Sequence, residues 1–189
     1  RPGQEHFTAA PSEVSLTSLP VAERYGIVVV GLSTHLPQEL VDSALEPLGE
    51  ELASYNFADY RCLERRQLPV QANWKLVNDL SLESYHFQSL HRDSVAQMLA
   101  PNAVVDTWER HSRWAFPLKS IGGLLDIAEK DWPDTLQGSV TYTLYPGVMF
   151  LVNALGAQMI RAEPGDSPQQ TTVAYVGMYA PDSERDAAY

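Results

Sequence analysis

Hydrophobic residues recur along this chain with two different spacings, and the spacing predicts where helices and strands lie. Helical spacing, with apolar positions three or four residues apart, covers residues 34–52 and 73–90, and a short helix is predicted for residues 121–130. Clusters of β-branched and aromatic residues favour strands in much of the remaining chain, and the first cluster is apolar enough to predict a buried strand. The strand-like segments are residues 25–32, 57–70, 104–116, 140–145, 148–153, 157–162 and 171–179.

Short connections link the last four strand-like segments, at Pro146-Gly147, near Gly156 and in a loop around Gly165. Turns this short favour antiparallel pairing of neighbouring strands. Helices and strands also come in blocks rather than in strict alternation, which is typical of α+β proteins. We therefore expect an antiparallel sheet wrapped around a helix, enclosing an apolar pocket.

Composition and charge argue against several classes of protein. The 189 residues include 24 Asp and Glu against 13 Lys and Arg, a formal charge of -11, which argues against a nucleic acid or an anionic membrane as partner. The longest apolar run, residues 27–32, is too short to span a bilayer. Cys62 is the single cysteine, so neither an internal disulfide nor a cysteine-bound iron–sulfur cluster is expected, and we expect a cytoplasmic location.

One predicted helix carries residues with metal-binding chemistry. Asp79, Glu83 and His86 stand at positions i, i+4 and i+7, so a regular helix would place them on one face. Burying these groups is costly unless they pair or bind a cation, and such ligands suit Fe(II), Zn(II) or Mn(II). His91 would lie about 140° around the helix from His86, so both imidazoles reach one ion only if the helix distorts or ends between them. The spacing is equally compatible with histidines that are exposed or hydrogen-bonded.

The sequence around these residues resembles a known family. The tripeptide Asn-Trp-Lys at 73–75, followed by Glu83-x-x-His86-x-x-x-x-His91, resembles the iron-site helix in the α subunits of Rieske non-haem iron oxygenases. Tyr85, directly before the first histidine, fits the same pattern. The resemblance implies that the predicted α+β fold is a helix-grip fold.

Two further segments extend this resemblance to most of the chain. Residues 21–32 are similar to the last strand of the family's Rieske domain, and residues 144–149 are similar to the sheet that follows its iron helix. The resemblance implies that residues 1–33 are the tail of a Rieske-type domain with a connecting strand. Residues 34–189 would then be a partial catalytic domain, incomplete at its C-terminus.

The resemblance also assigns roles to the residues of the helix. His86 and His91 are implied to be two of the three protein ligands of a mononuclear Fe(II). Glu83 takes the place of the acid that hydrogen-bonds a ligand histidine and bridges to the Rieske cluster of a neighbouring subunit. The family usually has Asp there, and Glu is similar to the subgroup acting on quaternary ammonium compounds such as carnitine. Asp79 stands where many ring dioxygenases carry Asn, beside the iron, and Glu83 and Asp79 are together predicted to be the catalytic residues.

Two parts of the family's machinery are not expected within this chain. The 2Fe-2S cluster requires two Cys and two His in an upstream domain, and the third iron ligand is an Asp on a helix beyond the last predicted strand. Asp182 and Asp186 follow that strand too closely to be nominated. The chain is therefore expected to be a central piece of an oxygenase that is inactive alone.

The intact parent is expected to activate O2 at Fe(II) and to hydroxylate or demethylate a small organic substrate, with aromatic hydrocarbon catabolism as one setting. Its expected partners are an electron-transfer reductase or ferredoxin and further subunits, in a homotrimer or an α3β3-type oligomer. Two alternatives remain open on the residues alone. One is a non-catalytic helix-grip domain that binds a ligand without metal, and the other is a zinc-dependent hydrolase that uses the same two histidines.

Overall fold

The computed structural model describes residues 6, 8, 9 and 15–181 of the chain. The chain forms two compact units, residues 1–58 and residues 59–189. Residues 34–58 thus lie in the first unit, whereas the sequence grouped them with the catalytic domain. The assignment of residues 1–33 to a Rieske-type domain stays a prediction.

The first unit contains a two-stranded hairpin, with β1 at Val21–Arg24 and β2 at Ile27–Val30. Tyr25 and Gly26 form the connecting turn with positive φ angles of 58° and 77°, the backbone conformation that two-residue hairpin turns require. The prediction of one buried strand over residues 25–32 is therefore corrected. Its first two residues are the turn, and β2 alternates between half-buried and exposed side chains.

The helix predicted for residues 34–52 is divided into three short pieces. These are α1 at Gln38–Asp42, a 3-10 helix at Glu46–Leu48 and α2 at Gly49–Ser54. Pro47 lacks a backbone N–H and cannot continue a preceding helix, so a new helical turn begins around it. The apolar spacing nevertheless marks the side chains that are buried, namely Val41, Leu45, Leu48 and Leu52.

A seven-stranded antiparallel sheet dominates the second unit, in the order β3-β9-β8-β7-β6-β5-β4. The strands are β3 Arg61–Val70, β4 Val104–Trp108, β5 His111–Pro117, β6 Gly138–Leu144, β7 Val148–Asn153, β8 Gly156–Pro164 and β9 Thr171–Tyr179. The last four form the predicted meander within a few residues of the predicted bounds. The first strand of the sheet pairs with the last, from Arg61 opposite Tyr179 to Val70 opposite Thr171. The predicted α+β class is confirmed.

Few helices accompany this sheet. The α-helices are α3 at Trp74–Leu80 and α4 at Val95–Met98. The helix predicted for residues 121–130 consists of two 3-10 helices, Lys119–Asp126 and Glu129–Asp131. Two further 3-10 helices are Phe57–Asp59 and Tyr85–Gln88. In the described part of the chain, none of the helices combines the length and apolar character needed to cross a membrane.

The hydrophobic core of the second unit lies on the central strands of the sheet. Tyr142 and Val152, on β6 and β7, are almost completely buried. Other buried side chains come from the five strands β5 to β9 and from the segment around α4. They are Phe116, Val140, Leu144, Phe150, Ala157, Ala162, Val173, Ala96 and Leu99.

Close backbone packing where β8 begins gives a test of this sheet. A Cβ atom at Gly156 would overlap the carbonyl oxygen of Met178. We expect Gly156→Ala to lower the free energy of unfolding of the second unit by about 1–3 kcal/mol, the usual cost of overpacking. Urea unfolding followed by tryptophan fluorescence measures this change, because all four tryptophans lie in the second unit.

Gly122→Ala is the matched control. Nothing lies within 4 Å of a Cβ atom at Gly122, so the free energy of unfolding should change by less than about 0.5 kcal/mol. Equal stability of the two variants would contradict the pairing of β8 with β9.

Candidate metal centre

The segment that carries the predicted site begins at Asn73, the N-cap of α3. Its side-chain Oδ1 accepts a hydrogen bond from the backbone N–H of Lys75 at 2.9 Å. Its Nδ2 donates to the carbonyl oxygen of Pro168, in the loop between β8 and β9, also at 2.9 Å. Thr171, the first residue of β9, donates its hydroxyl to the carbonyl of Ala72 at 2.6 Å. The start of α3 is thus held against one end of the sheet.

The helix predicted to continue to residue 90 ends at Leu80. Ser81 remains in the αR region, but its backbone N–H bonds back to Asn78, and the chain leaves the helix in a turn. Serine hydroxyls compete with the backbone for hydrogen bonds, and Ser81 and Ser89 donate theirs to the carbonyls of Val77 and His86. The prediction of one continuous helix is therefore wrong beyond Leu80.

The end of α3 separates Asp79 from the rest of the predicted site. Asp79 is exposed, and in the described part of the chain no hydrogen bond or ion pair joins its side chain to Glu83, His86 or His91. Its predicted place on one helical face with Glu83 and His86 is corrected, because residues 81–84 are not helical. A catalytic role for Asp79 stays an untested prediction.

Glu83 and His86 form a close pair. The Nδ1 atom of His86 lies 2.5 Å from Oε1 of Glu83, and the backbone N–H of His86 donates to Oε2 at 3.3 Å. The His86 side chain is 15% exposed and that of Glu83 is 34% exposed. An ionised Glu83 can only accept, so His86 carries a proton on Nδ1, which leaves Nε2 of a neutral ring as a lone-pair donor.

The His86 contact lowers the pKa of Glu83 below its ordinary value of 4.5. The largest cause is the hydrogen bond from the His86 side chain, and backbone hydrogen bonds from His86 and Tyr85 act in the same direction. Partial desolvation opposes them. The carboxylate is therefore ionised at neutral pH and is available to orient the imidazole.

His91 lies beside His86. A turn after the Tyr85–Gln88 helix, with the N–H of Leu90 donating to the carbonyl of His86 at 2.7 Å, brings the ring centroids to 5.3 Å with an interplanar angle of 68°. A metal–nitrogen bond is about 2.1 Å, so the centroids of two imidazoles on one ion are separated by at most about 6.4 Å. Within the described residues no hydrogen bond engages Nε2 of His86 or the ring nitrogens of His91. The centroid separation of 5.3 Å lies within this limit, and metal binding by the two rings stays a prediction.

The described residues contain no third metal ligand to accompany His86 and His91. No group of three or more His, Cys, Asp or Glu side chains in that part of the chain has the arrangement of a metal site. Asp182 and Asp186, the acidic residues beyond β9, lie outside the described residues. A third ligand thus stays unassigned.

A cleft of about 400 Å³ lies next to the histidine segment. One wall comes from Ser84, Tyr85, Phe87 and Gln88, and the other from Ala96 and residues 99–101. The lining is mainly apolar, although Tyr85 itself is 92% exposed. Sequence reasoning missed the second wall, since nothing in residues 95–101 distinguishes a lining segment from an ordinary short helix.

A family model matches the whole of the second unit. Residues 57–189 match the ring hydroxylating alpha subunit (catalytic domain). No curated protein sequence matches the chain significantly.

Solved structures of one enzyme have a similar fold. The quaternary ammonium Rieske monooxygenase CntA in complex with an inhibitor has a TM-score of 0.75 at 18% identity, over 96% of this chain and 47% of that chain. Its complex with substrate L-carnitine has a TM-score of 0.72 at 18% identity, over 98% and 48%. Its complex with gamma-butyrobetaine has a TM-score of 0.70 at 18% identity, over 97% and 46%. The chain spans about half the length of these structures, and at this identity the likeness shows the fold.

The two hydrogen bonds of Asn73 give a test of how the site is anchored. We expect Asn73→Ala to lower the free energy of unfolding by about 1–2 kcal/mol, since it removes both the cap and the bond to Pro168. Asn73→Ser keeps a capping acceptor and should lose less. Urea unfolding measures these differences, with Asn102→Ala, at an exposed position without a side-chain bond among the described residues, as the control. Equal stability of Asn73→Ala and Asn102→Ala would contradict this anchor.

The lowered pKa of Glu83 predicts a pH dependence with a definite sign. A carboxyl whose pKa is lower in the folded than in the unfolded state stabilises the fold above its ordinary value of 4.5 and loses that effect as pH falls through the folded pKa. We therefore expect wild type to exceed Glu83→Gln in stability at neutral pH, with a difference that shrinks below pH 4.5. Urea midpoints on both sides of that pH measure it, and Glu129→Gln controls for the loss of one negative charge. A difference that does not shrink as pH falls below 4.5 would contradict the pairing.

Proposed function

This chain belongs to the family of ring hydroxylating α subunits, whose catalytic domain it matches over residues 57–189, and we propose that it holds the mononuclear iron of a Rieske-type oxygenase. The observation that supports the proposal most directly is the pair of neighbouring imidazoles at His86 and His91, one of them oriented by Glu83. The family match confirms the resemblance stated for the Asn-Trp-Lys and two-histidine pattern. Which residues bind the iron is our inference.

In this proposal His86 binds the iron through Nε2, since Glu83 occupies Nδ1. His91 provides the second imidazole from the adjacent turn. Ferrous iron held there, with open coordination positions, would supply the chemistry that activates O2 for attack on an organic substrate. In this proposal the protein keeps the two rings in place and leaves one side of the iron site open to O2 and substrate.

Glu83 has two roles in the proposal. Its hydrogen bond fixes the tautomer and the orientation of His86, as carboxylate partners of ligand histidines do. Its side chain is also one-third exposed, so a second protein surface can reach it. This suits the family's acid at the same position, which bridges to the Rieske cluster of a neighbouring subunit.

The partners follow from the same family. We infer that electrons come from a reductase or ferredoxin through a 2Fe-2S cluster in a domain outside this chain, and that the subunits form a trimer or an α3β3 assembly. The adjacent cleft, mainly apolar, would take a small organic substrate for hydroxylation or demethylation. The solved relatives act on quaternary ammonium compounds, and Glu83 is the feature of this chain that is similar to that subgroup.

Metal binding tests the proposal. We expect the chain to bind Fe(II) only weakly under anaerobic conditions, because no third ligand is assigned among the described residues, and Glu83→Gln to weaken this binding by about a further 10–100-fold, the usual effect of losing a ligand's carboxylate partner. His86→Ala and His91→Ala should weaken it further. Elemental analysis after anaerobic dialysis measures the bound iron, and His35→Ala, at an exposed histidine of the first unit, is the control.

The alternatives give different results in the same experiment. A metal-free ligand-binding domain would bind no iron, and His86→Ala would change nothing. A zinc hydrolase would retain zinc in preference to iron, and the protein joined to its cluster-bearing domain and a reductase would show no NADH-driven O2 uptake. Either result would replace the oxygenase proposal.

A further inference from the structure

We propose that Phe87 is a positioning residue that holds both imidazoles of the site in their relative orientation. The inference rests on the proposed function, because it assigns to Phe87 a role in metal binding. Phe87 does not bind the metal itself, since its side chain has no donor atom for a cation of this kind.

The ring of Phe87 contacts both histidines edge to face. Its centroid lies 4.8 Å from that of His86 with an interplanar angle of 87°, and 6.1 Å from that of His91 with an angle of 73°. Aromatic rings favour this geometry because the positive edge of one ring faces the negative face of the other. A single side chain is therefore in contact with both proposed ligands and disfavours rotation of either ring.

Phe87 is in turn supported by the sheet. Its ring lies 5.3 Å from that of Phe116 on β5, which is only 5% exposed. Phe116 packs at 6.3 Å against Trp114, two residues earlier on the same face of the strand. The three aromatic rings connect the backbone of the sheet to the histidine segment, which otherwise consists of turns and one short 3-10 helix.

The two histidines differ in what else orients them. His86 has Glu83 on Nδ1, the usual partner of a metal-binding imidazole. His91 has no ring hydrogen bond among the described residues, and its ring contacts there are with His86 and Phe87. Loss of the Phe87 ring should therefore release His91 more than His86.

The test measures Co(II) binding by the full chain, with Co(II) as a spectroscopic probe for Fe(II). We expect Phe87→Leu, which keeps an apolar side chain but removes the ring, to lower Co(II) affinity about 10-fold or more and to alter the ligand-field absorption. Phe87→Tyr should restore both. In the metal-free chain, NMR relaxation should show a larger gain in mobility of the His91 ring than of the His86 ring in Phe87→Leu, which is a readout independent of metal.

A control variant separates positioning from stability. Val152→Ala removes two methyl groups from the core of β7, so it should lower the melting temperature and leave Co(II) affinity and the spectrum unchanged. If Phe87→Leu behaves like Val152→Ala, Phe87 is a packing residue alone and the inference is overturned. If the wild-type chain binds neither Co(II) nor Fe(II), the proposed function fails as well, so the two failures are distinguishable.

Discussion

Two imidazoles five residues apart lie side by side here because the helix before them ends at Leu80. On a continuing helix they would be separated by about 140° around the axis and could not share an ion. The end of α3 at Leu80 determines the geometry of the rest of the site. It allows the Tyr85–Gln88 turn to place Glu83 under His86, and it allows the next turn to bring His91 to 5.3 Å from His86.

The sequence predicted the strands of the second unit much better than the helices. In the meander, β-branched clusters alternate with turn residues such as Gly147 and Gly156, and both signals are local. For the helices, the apolar spacing identified most of the buried side chains of the first predicted helix, but α3 buries none of its residues, and the spacing did not show where the backbone breaks. Pro47 interrupts the first predicted helix, and the second ends at Leu80, although the spacing of apolar residues continues through both.

Those residues of the candidate site that lie in one short segment of sequence could be predicted. Glu83, His86 and His91 could be found from their pattern, and the structure brings them together. The prediction that Asp79 shares a helical face with Glu83 and His86 was wrong, because it assumed a regular helix beyond Leu80. Phe87 could not be identified, because its significance depends on Phe116, and only the register of β5 within the sheet places that ring beneath it.

The hydrogen bond between Asn73 and Pro168 links the start of the site segment to the loop before β9, which is distant from it in sequence. Asn73 leaves the ribosome long before Pro168, because the two residues are 95 positions apart in the sequence. The same order holds for β3 and its partner β9. Contacts of such large sequence separation close slowly. During synthesis the histidine segment therefore remains without its anchor until β9 is made.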